Sequence, residues 1–222
     1  MIAHLSPGAG AFVAIALTAV TVGSLHTLAP DHWVPYAALG RAQRWSAWRT
    51  ARTTMLCGFG HVTSSVILGI VALSVGVELV AAYGRRLEAW GGLLLIAFGI
   101  GYAAWGIRRA AGRRLHGHAH HHYDHVHDAA RMTPWTLFLL ASADPCVAVV
   151  PLIVAAAPLG AGAVAGVAVL YEIATIGTMT VLSLLAWRGA TRLSAPWLDR
   201  YGDVAAGGLI AALGIVLTAV GA

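Results

Sequence analysis

Long apolar runs alternate with short arginine-rich segments along this chain. Each run approaches or exceeds the roughly 20 residues that an α-helix needs to cross a bilayer. Six are expected to be transmembrane helices, near residues 9–29, 53–82, 88–107, 133–157, 161–187 and 201–222. No stretch is left for a soluble domain, so the expected fold class is all-α, a polytopic membrane protein forming one transmembrane domain over 1–222. The first run has no Lys or Arg ahead of it and continues into a polar motif instead of a small-residue cleavage site. It is therefore expected to remain as a span.

Composition agrees, with 59% hydrophobic and 10% charged residues and a mean hydropathy of +0.75. The basic residues add more. All fourteen are Arg, and twelve fall after the first, third and fifth runs, against only Arg85 and Arg86 on the other side. By the positive-inside rule this predicts both termini outside a bacterial or archaeal cytoplasmic membrane and the three Arg-rich loops inside. The pI near 9.8 then reports membrane orientation. No interleaved aromatic and basic patch suggests a nucleic-acid partner. No GxxxxGK[ST] segment is present for P-loop ATP hydrolysis, and no enzyme activity is expected.

Polar residues inside the apolar runs carry the candidate chemistry, because ionisable groups at membrane depth cost roughly 2.5–3.5 kcal/mol each on insertion scales. GSLHTLAPDHWVP sets His26, Asp31 and His32 at the inner end of the first run. Pro30 has no amide proton, and its ring clashes with the carbonyl of His26, so the helix should break between the two histidines. In a straight helix His26 and Asp31 would point about 140° apart; a break lets them converge. In the second run GFGHVTSS offers His61 as a third imidazole, or as a donor to a backbone carbonyl between packed helices.

Sliding the chain against itself by 115 residues aligns Pro30 with Pro145, Val34 with Val149, Thr63 with Thr178, Arg85 with Arg200, Gly92 with Gly207 and Gly99 with Gly214. Three spans per half is an odd number, so this predicts a 3+3 inverted repeat of halves 1–107 and 133–222, with broken helices in spans one and four. The repeat sets ASADPCVAVVP opposite the first motif, which makes Asp144 a candidate carboxylate. Cys146 is either a thiolate ligand or a small buried hydrophobe. Glu172, in the fifth run, is a ligand, a proton carrier or an interfacial residue. The joining loop, 108–132, carries a tract of His116, His118, His120, His121, His122, His125 and His127. Neutral imidazoles in such density suit transition metals such as Ni, Zn and Cu, and the tract is expected to collect metal in the cytoplasm.

The H-x4-D-H string of His26, Asp31 and His32, the GFGHVTSS segment, six spans and a His-rich loop after the third resemble the NicO and RcnA-like branch of the nickel/cobalt transporter superfamily. That branch is related to LysE-type exporters and UreH-like membrane proteins. The resemblance covers most of the chain. It implies divalent cation transport with His26, Asp31, His32 and His61 as ligands, and the expected transported ion is Ni2+ or Co2+, with Zn2+ as an alternative. No permanent cofactor is expected, the partners being the metal ion and membrane lipid. Uptake permeases of the superfamily have more spans and an acidic residue where this chain has Ala29, while the DPC segment looks like the small exporter-like branches, so efflux is the expected direction. The alternatives are nickel uptake, a nickel-handling accessory protein for urease or hydrogenase maturation, a LysE-type exporter of another solute, or a CcdA-like thiol-redox carrier.

Overall fold

The computed structural model describes residues 7–115, 134–193 and 195–221, and every regular element among them is helical. In chain order the helices are α1 (Pro7–His26), α2 (Val34–Ala42), α3 (Ala47–Val75), α4 (Val77–Leu115), α5 (Pro134–Ser142), α6 (Val150–Ala156), α7 (Ala161–Arg192) and α8 (Pro196–Gly221). Short 3-10 turns at Pro30–His32 and Val147–Val149 lead into α2 and α6. Five helices are long and apolar enough to cross a membrane. A sixth is formed if α5 and the α6 segment, bent by 51° at their junction, count as one span. Large apolar side chains such as Leu17, Phe59, Ile100, Ile173 and Ile215 are exposed on the outer faces, compatible with a transmembrane protein surrounded by lipid.

The element boundaries differ from the expected spans for local reasons. Residues 34–42, expected in a loop, form α2. Pro35 sits in its first turn, where a missing amide proton is harmless, while Tyr36 and Leu39 are buried. Ser46 caps α3 by accepting the amide of Arg49 at 3.2 Å, which starts that helix before residue 53. Gly76, at φ 100°, ends it before 82, in a region that disfavours side chains. α4 continues past 107 to Leu115, into the segment expected to be loop. α8 begins at Pro196 with a kink at Tyr201. The histidine tract at 116–128 lies outside the described residues.

Small residues set the packing. Along the α4–α8 seam, the most extensive helix contact, Gly92 lies against Gly214 and Thr218, Gly99 against Gly207 and Ala211, and Gly106 against Asp203 and Val204. Numbers rise on one helix as they fall on the other, so the pair is antiparallel. A Cβ at Gly99 would collide with the backbone of Gly207 and Ala211. The rest of the bundle gathers around α3 and α7, with α1 against α7 and α5 against α3. Gly23 of α1 meets Thr175 and Tyr171, and Gly60 of α3 meets Phe138 and Ser142 of α5.

Candidate metal centre

The chain breaks at Pro30. α1 stops at His26, whose carbonyl accepts the amide of Ala29 at 3.1 Å; Ala29 in turn accepts the amide of His32 at 3.2 Å. The tightened turn returns His32 towards His26, with ring centroids 4.4 Å apart and nearly perpendicular. On the other side, His32 lies edge to face with His61 of α3 at 5.3 Å. Asp31 Oδ2 is 3.1 Å from His32 Nδ1, both side chains being largely buried. That distance suits an ion pair, while the other carboxylate oxygen, Asp31 Oδ1, has no hydrogen-bond partner.

A second interruption, between α5 and α6, meets the first. Pro145 cannot donate to the preceding turn, and the amide of Cys146 bonds instead to the hydroxyl of Ser65 on α3 at 2.7 Å. This directs the Cys146 thiol to within 3.0 Å of His26 Nε2 and 3.2 Å of the Tyr171 hydroxyl. One ligand atom each from His26, His61 and Cys146 lies within 4.8 Å of the others. His61 Nε2 is buried without a geometrically formed hydrogen bond, although the backbone of Ala141 and Asp144 lies near the ring. Two imidazoles and a thiol at this spacing could hold a borderline divalent cation, since soft thiolate and imidazole ligands suit Zn, Cu and Ni.

Beside these donors is a cavity of about 50 Å³, bordered by Asp31, His32, His61 and Asp144 together with Tyr36 and apolar side chains of α4 and α5. It is large enough for a water-sized species. The carboxylate of Asp144 lies against Gly91 of α4, where a Cβ would collide with it. His61 thus borders both the cavity and the His–His–Cys cluster.

Of the residues singled out in the sequence, His26, Asp31, His32, His61, Asp144 and Cys146 come together. Glu172 does not join them: it lines an apolar groove between α3 and α7 with Phe59, Thr63 and Val66. The seven loop histidines lie outside the described residues. Cys57 packs in a separate core cluster from Cys146, with Tyr36, Leu39 and Met179. The cysteines therefore do not face each other, as a dithiol carrier would need. Sequence reasoning passed over Tyr171, which is fully buried at the thiol. The Tyr171 hydroxyl lies in an apolar helix and gains significance only from the contact with Cys146. Ser65, in GFGHVTSS, is expected to allow close helix approach and hydrogen bonding across helices, and its hydroxyl accepts the amide of Cys146 from the neighbouring segment.

No protein-family model matches the chain, and no curated protein or solved structure is significantly similar to it.

Proposed function

We propose that this chain conducts a divalent transition-metal cation, Ni2+ or Co2+, across the cytoplasmic membrane, outward from the cytoplasm, as its resemblance to the nickel/cobalt transporter superfamily implies. The carrying observation is the convergence of His26, His61 and Cys146 ligand atoms within 4.8 Å in the bundle interior. The adjoining cavity, with Asp31, His32 and Asp144 on its wall, gives a cation a polar stopping point beside the cluster. Passage requires binding that is favourable but reversible. A few donors at two helix interruptions meet that need better than a closed four-cysteine cage.

The packing supports an inverted-repeat reading. An offset of 115 exchanges Gly23 with Phe138 and Gly60 with Thr175, so the Gly23–Thr175 contact maps onto the Gly60–Phe138 contact. It likewise exchanges the Gly92–Gly214 and Gly99–Gly207 contacts. Because the equivalent helices α4 and α8 are antiparallel, the axis relating the halves lies across the helices, the arrangement of inverted-topology transporters whose sites form at broken helices.

The test is flux in liposomes loaded with a metal-sensitive dye, over a panel of Ni2+, Co2+, Zn2+ and Mg2+. Wild type should move Ni2+ or Co2+, and His26→Ala, Asp31→Ala, His32→Ala and His61→Ala should each abolish flux while remaining folded in detergent. A variant with wild-type flux removes its residue from the path. Metal binding without any flux would refute conduction and favour a membrane-bound nickel donor.

A further inference from the structure

A second polar site lies where α2, running away from the metal centre, ends. The C-terminal ends of α2 and α4 meet the N-terminal ends of α3 and α8 around a cavity of about 380 Å³. Among the described residues, five arginines line it, Arg41, Arg44, Arg49, Arg109 and Arg200, against the carboxylates of Asp199 and Asp203. Both carboxylates are already engaged. Asp203 accepts Arg109 at 3.1 Å and the Tyr102 hydroxyl at 2.7 Å, while Asp199 faces Arg41 at 3.4 Å and Arg44 at 4.0 Å. The guanidinium carbons of Arg49 and Arg200 lie over the rings of Trp45 and Tyr201, at 5.1 and 5.3 Å from the ring centres. A cation–π contact of this kind fixes the position of the positive charge beside the cavity.

The surroundings are built rather than incidental. Trp45 donates to Gln43, which donates to Tyr102, and Tyr102 donates to Asp203, a hydrogen-bonded chain passing through two buried aromatic residues. Arg44 holds φ at 54°, a region where a bulky side chain is disfavoured. Exposed Trp48 and Trp197, in the first turns of α3 and α8, flank this end of the bundle, and tryptophans of this kind concentrate at headgroup level.

We infer that this pocket binds a phosphate-bearing anion, the headgroup of an anionic phospholipid. Planar guanidinium groups pair with phosphate oxygens in a bidentate fork, and basic pockets between transmembrane helices are suited to acidic headgroups. The proposal is independent of which solute the centre carries. The headgroup would bind at one end of α2, whose other end follows Asp31 and His32, about 13 Å away at 1.5 Å per residue.

The test titrates the detergent-solubilised full chain with cardiolipin, phosphatidylcholine and inorganic pyrophosphate, following tryptophan fluorescence. Cardiolipin should bind and phosphatidylcholine should not. Arg44→Asn, which suits the positive φ, Arg49→Gln and Arg200→Gln should each weaken cardiolipin binding about fivefold. Arg52→Gln and Arg188→Gln, outside the pocket, should leave it unchanged, and unfolding midpoints show that each variant is folded. Pyrophosphate binding as strong as cardiolipin's, with the same arginine dependence, would overturn the lipid as source and assign the pocket to a soluble phosphate. Failure of both ligands to bind, or equal losses in the Arg52 and Arg188 variants, would overturn the anion site itself.

Discussion

Replacing Cys146 by Ser separates coordination from packing at the centre. Serine is close to isosteric, its hydroxyl retains a hydrogen-bond partner in Tyr171, and the amide contact to Ser65 is unaffected. The structural penalty should therefore stay near ~1 kcal/mol. The effect on metal should be much larger, because a hydroxyl does not replace a thiolate. Metal–ligand bonds of about 2.0–2.3 Å imply donor separations near ~3.5 Å. The present donors, 3.0 Å apart for Cys146 and His26 and all within 4.8 Å, need adjustments only on the order of 1 Å to meet an ion. Removing even an outer-shell partner of a metal typically lowers affinity ~10–100-fold, so losing a direct ligand should cost at least that much.

Cobalt(II) provides the assay. Titrated into the wild-type chain in detergent, it should give visible d–d bands and a thiolate-to-cobalt charge-transfer band. Cys146→Ser should lose the charge-transfer band and require ~10–100-fold more cobalt for the d–d bands, whereas Cys57→Ser should match wild type. Persistence of the charge-transfer band in Cys146→Ser, or unchanged affinity, would refute thiolate coordination at this site.

Three further outcomes check other parts of the argument. Replacing the seven histidines of 116–128 with Ser should slow flux at low metal but leave it nearly intact at saturating metal; complete loss at saturation would place the tract in the conduction path. Gly99→Leu should lower the unfolding midpoint by an overpacking penalty of ~1–3 kcal/mol or more, whereas Gly101→Leu, with open space at its Cβ position, should not; similar midpoints would contradict the α4–α8 seam. Cysteines introduced at Ser46 and Ala119 should label from the cytoplasmic side and one at Gly160 from outside; labelling of Ala119 and Gly160 from the same side would refute the proposed topology.

The first interruption was legible because its cause is local. Pro30 removes a donor and crowds the His26 carbonyl, and both effects are readable within five residues. The approach of His26 to His32 follows from that same turn. The DPC segment was legible only by repeat, and the role of its cysteine stayed open, because a thiol in an apolar run looks alike whether it packs or binds. Its partners are distant in sequence: His26 is 120 residues away, and Ser65 is 81. Tyr171 was invisible for the same reason. Glu172, one residue on, drew notice for its charge, yet helical rotation turns it towards the α3–α7 groove. The missed helix α2 reflects a different limit, since its burial against α7 and α8 outweighs a short segment rich in turn-forming neighbours.

Under the proposed reading, the division of donors between the halves bears directly on release. His26 and His61 belong to the first half and Cys146 to the second, while the cavity wall pairs Asp31 and His32 with Asp144 in the same way. An ion held by both sets bridges the halves, so any rocking of one half against the other changes its coordination number. The small-residue contacts at Gly23 and Gly60 bring helices of opposite halves close beside the site. Coordination and access are then coupled through the same contacts: the motion that opens a path also removes ligands contributed by one half, and the weakened ion leaves towards the side that has opened.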